Sequence, residues 1–326
     1  METLEGAELC FPQLLNTSCR RPIPPRPEAY VGLAFICVLT VALNLLVIIS
    51  ISHYRQLQTN TNLLLLSLAV SDLLVALVLM PVQIVIGGCW FLGDLMCSLY
   101  WLINFIITSA SVGNMVLISV DRYVAICDPL CYPTKVTQKR VQICVCLCWI
   151  CSVFYNSLVL KENLRQPGRY KSCYGECIAV ISDDAAAADF LFTFFGPIAV
   201  IIVLYMRVFV VAVSQARAMR SHIVSVTLQP SGTGTAKKSE MKAARTLGIV
   251  IIVFLICLFP YYCISLAGYD SLSSAASLAF ENWLFYFNSC LNPVIYAFFY
   301  PWFRKSIKLI VTLQILQPDS CEAKML

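Results

Sequence analysis

Charge is scarce in this chain: 13% of its 326 residues are charged, against roughly 25% in an average soluble domain. With 59% hydrophobic residues and a mean hydropathy of +0.78, that shortage excludes an ordinary soluble globule and indicates a protein that crosses a membrane several times. Histidine is scarcer still. His53 and His222 stand alone and no metal-ligand spacing occurs, so no enzymatic activity is expected. The opening residues, METLEGAEL, are acidic and mixed where a cleavable signal peptide would be basic and then apolar, so the first membrane helix is expected to act as its own targeting signal. The net charge of +5 gives no reason to invoke nucleic acid, and no nucleic-acid partner is expected.

What the chain has in abundance is long apolar runs. Seven are readable, at about 30–52, 62–86, 97–126, 141–160, 185–213, 246–267 and 280–300, each long enough to cross a hydrocarbon core of about 30 Å. After the seventh, PWFRKSIKLIVTLQIL alternates basic and apolar residues, as a helix lying on the membrane surface does. The predicted fold is an all-α membrane protein, a seven-transmembrane helix bundle with a short amphipathic eighth helix, in contact with membrane lipids. Its parts would be an amino-terminal segment (1–29), the bundle (30–300) and a terminal amphipathic helix and tail (301–326). The stretch from Gln215 to Arg245 reads as helix extensions around a flexible loop.

Basic residues fix the orientation. Arg55, Lys135, Lys139, Arg140, Arg217, Arg220, Lys237, Lys238, Lys242, Arg245, Arg304, Lys305 and Lys308 all fall on one side, which is therefore expected to be cytoplasmic. The amino terminus is then outside, where Asn16-Thr17-Ser18 is an N-glycosylation sequon. Most of the seventeen cysteines, such as Cys144, Cys146, Cys148 and Cys151, sit in apolar runs as small hydrophobes. Six lie on the outer side: Cys10, Cys19, Cys89, Cys97, Cys173 and Cys177. Such an even set permits bridges without fixing their pairing.

Polar groups at membrane depth are costly and so mark function. Asn44, Asp72, Ser111, Asn288 and Asn292 come from four different runs and gather one carboxylate with neutral oxygens, the chemistry of a hard-cation pocket or a water network. A sodium ion at Asp72 is the one cofactor this set invites. The third run is the hub. Cys97 opens it, Asn104, Thr108 and Ser111 recur at helical spacing within it, and Asp121-Arg122 closes it.

Asn44, Leu68 to Asp72, Trp90 to Gly93, Asp121-Arg122-Tyr123, Trp149, Phe259-Pro260 and Asn292-Pro293-Val294-Ile295-Tyr296 occur in order along these runs. Together they resemble the rhodopsin-like G-protein-coupled receptors over essentially the whole chain. The closing stretch from Asn288 to Phe303 fits NSxxNPxxYxxxYxWF, the fingerprint of the trace-amine-associated receptors. The resemblance implies a Cys97–Cys177 bridge and a second between Cys19 and Cys173, with Cys10 and Cys89 as competitors for the latter. It also implies a heterotrimeric G protein of the stimulatory type as partner, raising cAMP. An Arg122 to Glu240 contact would hold the intracellular ends together, and Tyr205 and Tyr296 match the tyrosines that rearrange when the cleft opens. Pro260 and Pro293 create pivots. Leu258 replaces the tryptophan usual before the first of them, leaving its motion to Phe254, Tyr261 or Tyr262.

The resemblance also implies a small amine ligand. Aminergic receptors hold the ammonium with an aspartate on the third helix, where this chain has Asn104, which cannot neutralise a charge. Asp189, two turns before Pro197, resembles the relocated acid of an olfactory branch of the family, and Ala185 to Ala188 leave space beside it. Thr108, Tyr261, Tyr262, Trp283 and Tyr286 would complete the site, the aromatic faces supporting the cation. Asp270 and Glu281 are peripheral, which favours one buried cation over a diamine. A peptide receptor of the same fold would leave Asp189 unexplained, a transporter should show internal repeats that are not visible, and an opsin needs a lysine that the seventh run lacks.

Overall fold

The computed structural model describes residues 9–14, 16–20, 27–86, 88–225, 245–260 and 275–325. Glu240, Tyr261, Tyr262 and Asp270 lie outside the described residues, as does the side chain of Glu281. Seven helical segments follow in chain order: α1 (Pro27–His53), α2 (Asn60–Ile86), α3 (Asp94–Cys127), α4 (Gln138–Val159), α5 (Asp183–Ser214, its helix continuing to Ser225), α6 (Arg245–Pro260) and α7 (Ala275–Phe299). An eighth, α8 (Pro301–Val311), carries basic residues on one side and buries Trp302, Phe303 and Ser306 on the other. Five of the segments, α1 to α5, are long and apolar enough to span a bilayer by themselves among the described residues.

The ends obey local chemistry. Thr59 and Thr137 accept hydrogen bonds from the backbone N–H groups of Asn62 and Arg140, capping α2 and α4. The polar loop after α3 contains one helical turn at Tyr132–Lys135 with Pro133 near its start, and the loop after α4 begins with another at Lys161–Arg165.

Two spans widen into π-helix, at Val75–Leu79 in α2 and Phe190–Phe195 in α5. Each widening stands just ahead of a proline, Pro81 and Pro197, whose ring would strike the carbonyl four residues earlier, at Leu77 and Thr193. The wider turn makes room for that ring. Gly196 serves the same geometry, because a Cβ there would stand 2.8 Å from the Leu191 carbonyl oxygen.

α3 is the hub of the packing, lying against α2, α4 and α5, while α1 lies against α2 and α7. A core of Leu65, Leu68, Met115, Ile118, Phe254, Leu258 and Tyr296 fills the end of the bundle nearer α8. Beyond α8 the chain turns back through left-handed residues at Leu313 and Asp319. Ser320 gives its one proton to the Ile315 carbonyl, so His53 Nε2 is the donor across the 2.9 Å to Ser320 Oγ. Glu322 pairs with Arg55 at 3.1 Å, the Met325 amide donates to Gln56 Oε1, and the Met325 side chain is buried in the core. The tail therefore clasps the loop between α1 and α2.

Candidate functional site

Three groups of polar residues occupy successive levels of the bundle. At the amino-terminal end, Cys10–Cys89, Cys19–Cys173 and Cys97–Cys177 are bonded. The amino-terminal segment lies on the loop before α5. Cys19 N–H donates to the Tyr174 carbonyl, Tyr174 N–H to that of Thr17, and the Phe11 and Tyr174 rings meet edge to face. Asn16 is exposed there. Cys19, Cys173 and Glu176 stand close together, but the two sulfurs are bonded to each other and offer no thiolate to a metal.

Beneath this cover is a cavity of about 540 Å3 whose lining includes Gln83, Trp101, Asn104, Glu176 and Tyr286. Asn104 and Tyr286 thus reach one space. Thr108 and Trp283 are not among its lining residues. The Thr108 hydroxyl donates to the Asn104 carbonyl one turn back, and the Trp283 indole packs toward Gly32 of α1, whose missing Cβ leaves the hollow it fills.

Asp189 is likewise absent from that lining. It is half-buried where α5 begins to widen, with Tyr155 of α4 and Thr193 as its polar neighbours and with Oδ1 lacking a hydrogen-bond partner. Its chemistry is that of an acceptor waiting for a donor. Tyr155 carries no signal in the sequence, since an aromatic residue in an apolar helix looks like any other.

At mid-depth, Asn292 Nδ2 donates to Asp72 Oδ2 at 2.9 Å and approaches Asn288 Oδ1 at 3.5 Å, joining α7 to α2. Asn44 Nδ2 donates to the carbonyls of Thr40 and Ser289, joining α1 to α7. Ser111 is half-buried on α3 and makes none of these bonds among the described residues. The Asn44 and Asn292 side-chain oxygens are buried without partners, that of Asn292 on the residue bonded to Asp72. A carboxylate with spare neutral oxygens fits a hard cation.

At the opposite end, Arg122 is buried and donates to Asp121 Oδ2 from Nε at 3.0 Å and Nη2 at 2.5 Å. Thr61 donates to the same oxygen at 2.8 Å while accepting from Arg122 Nη2, and Tyr132 donates to Asp121 Oδ1 at 2.8 Å. Both carboxylate oxygens are therefore engaged. Burial, and then the negative Asp121, push the Tyr132 phenol up to about 12, which keeps it a donor. Sequence reading singled out Arg122 and Asp121 but neither Thr61 nor Tyr132. Tyr123 packs with Ile126, Val208 and Val211, and the hydroxyls of Tyr205 and Tyr296 are buried without partners. Pro293 lies inside α7, and Leu258 and Phe254 are buried together in the core.

Comparison with known proteins agrees with this geometry. A family described as 7 transmembrane receptor (rhodopsin family) matches residues 43–296. Trace amine-associated receptor 13c of Danio rerio is 39% identical, covering 98% of this chain and 97% of that protein. Trace amine-associated receptor 8b of Mus musculus is 37% identical with coverage of 96% and 95%, and trace amine-associated receptor 6 of Homo sapiens is 36% identical with coverage of 97% and 95%.

Proposed function

Because this chain belongs to the rhodopsin family of seven-transmembrane receptors, as one of its trace amine-associated receptors, we propose that it senses a small amine at the plasma membrane, with its amino terminus outside. The observation that carries the reading is Asp189, a carboxylate half-buried in the outer part of α5 with one oxygen unpartnered. An ammonium can supply both the charge and the donor that oxygen lacks. Asn104, opening onto the outer cavity, polarises and shapes the site without neutralising a charge. Tyr286 faces the same cavity, Thr108 and Trp283 act from behind it, and Tyr261 and Tyr262, outside the described residues, would add aromatic contacts.

Signalling runs to a stimulatory G protein and raises cAMP, in an olfactory setting. Arg122, held by Asp121 and Thr61 while Tyr132 braces Asp121, is the group released when the basic end opens, with Tyr123, Tyr205, Asn292, Pro293 and Tyr296 rearranging around it and Glu240 as its further partner. Asp72, Asn44, Asn288 and Asn292 would hold a sodium ion, with Ser111 adjoining, and that ion would neutralise the buried carboxylate. Asn16 carries the glycan.

The test is the cAMP response of cells expressing the full chain to a graded panel of amines. Asp189→Asn should shift the effective concentration upward about 100-fold, equivalent to roughly 3 kcal/mol for a buried charge left unpaired. A variant that reaches the membrane and responds to amines as the parent does removes Asp189 as the anchor.

A further inference from the structure

A second cavity, of about 640 Å3, lies between α5 and α6 at the basic end, away from every polar group discussed above except Tyr205. Its size falls in the range of roughly 300–1,000 Å3 found for small-molecule sites. Ile202, Met206, Phe209 and Ile252 line it and are each about half exposed or more, so the cleft is open sideways, toward the hydrocarbon of the bilayer. Water placed against such walls would find almost no hydrogen-bond partners, and an empty cleft would forfeit the dispersion contacts of its lining. A hydrocarbon chain satisfies both conditions.

The described reach of the cleft and its basic lining residue say which molecule brings that chain. Among the described residues its α6 wall takes in Arg245 to Leu255, ten residue steps or about 15 Å of helix, half the thickness of a hydrocarbon core of about 30 Å. One leaflet supplies a chain of that reach. Arg245, the first described residue of α6, lines the cleft at its basic side, is exposed and forms no ion pair with any described residue. A guanidinium at the interface with no described acid beside it is complementary to a lipid phosphate and to an anionic headgroup.

Gly248 is the third indication. A helix-interior glycine weakens a helix, and the nearest atom to a Cβ built there is Tyr205 Cε1, at an ordinary 3.4 Å, so no steric conflict demands glycine. What glycine provides at this lining position is room in the cleft.

We propose that the α5–α6 cleft binds one anionic phospholipid from the leaflet facing the basic end, with an acyl chain along Ile202, Met206 and Ile252 and its headgroup on Arg245. The site stands on the membrane-spanning fold and is independent of amine recognition.

The test uses the purified full-length receptor in detergent, offered equal amounts of phosphatidylserine and phosphatidylcholine with the same acyl chains, and native mass spectrometry to count what is retained. The parent should keep one lipid and prefer phosphatidylserine about fivefold, the preference expected of a single basic contact. Arg245→Gln should erase the preference while still retaining lipid. Ile252→Trp, which fills the cleft from its exposed wall without touching the core, should lower retention of both lipids several-fold. Val203→Trp, on the exposed face of α5 outside the cleft, should leave retention unchanged. Equal retention of the two lipids by the parent, an undiminished preference in Arg245→Gln, or full retention in Ile252→Trp would each overturn the proposal.

Discussion

Asn104 and Asp189 do not share a surface: Asn104 lines the 540 Å3 outer cavity, whereas Asp189 stands outside that lining, beside Tyr155 of α4. The space where an amine would first arrive is therefore polar but has no carboxylate on α3. Asn104→Asp should place one there and, with Asp189 retained, produce a receptor that answers diamines about tenfold more sensitively than the parent, a gain of about 1.4 kcal/mol. Dose–response curves for a series of diamines of increasing length check this. An unchanged or weakened response at every length would mean the two positions cannot serve one ligand.

Tyr132 is the sole described donor to Asp121 Oδ1. Tyr132→Phe leaves that buried oxygen unpaired, at a cost of about 1–3 kcal/mol, and loosens the acid that holds Arg122. Ligand-free nucleotide exchange on an added G protein should rise, and the melting temperature of the purified receptor should fall. A variant with parental values of both would show that Thr61 and Arg122 hold Asp121 without help.

Next to this cluster, the exposed loop carries a titratable trio. The hydrogen bond from Lys135 holds the Asp128 carboxyl below its ordinary range, and the same bond raises Lys135. The Asp128 contribution is present above the usual carboxylate pKa and lost as pH falls through its lowered value. That of Lys135 is present below the usual lysine pKa and lost as pH rises through its raised value, so the loop stays fastened across the neutral range. Hydrogen bonding to Asp128, and then its charge, raise the Cys131 thiol. Asp128→Asn should accordingly speed alkylation of Cys131 several-fold at about pH 8, read peptide by peptide by mass spectrometry. An unaltered rate would remove Asp128 as the controlling group.

The tail makes a separate prediction. Met325→Ala empties a buried position and should destabilise the receptor by roughly 2–5 kcal/mol, a loss visible in thermal melting. Lys324→Ala, which removes only an exposed side chain, should melt like the parent. Equal melting of the two variants would mean the clasp does not contribute to the fold.

Much of this architecture is legible in the sequence because lipid simplifies the problem. A run such as Tyr30 to Ser52 has no alternative to a spanning helix, and a buried Asp72 must find a donor, which Asn292 provides. What stays hidden depends on geometry that composition does not encode. Composition alone does not pair the six outer cysteines; the resemblance implies Cys97–Cys177 and Cys19–Cys173, and the fold adds Cys10–Cys89, joining the two competitors to each other. The π-turns follow from Pro81 and Pro197 only once those prolines are known to sit inside continuous helices. Trp283 and Tyr286 share a helical face by spacing, yet one packs against α1 and the other reaches the cavity, because Gly32 offers a hollow to the larger ring. The last residues, short and mixed, read as a tail until Met325 is seen to be buried.

The three bridges have a topological consequence. Following the chain from Cys10 to Cys19, across to Cys173, on to Cys177, across to Cys97, back to Cys89 and across again to Cys10 returns to the start. The rim is a closed covalent circuit, so one proteolytic nick anywhere in its three peptide arcs opens the circle without freeing an end. The nicked receptor would run as a single species on a gel until a reductant is added, and protease damage there would go unseen by any assay that keeps disulfides intact.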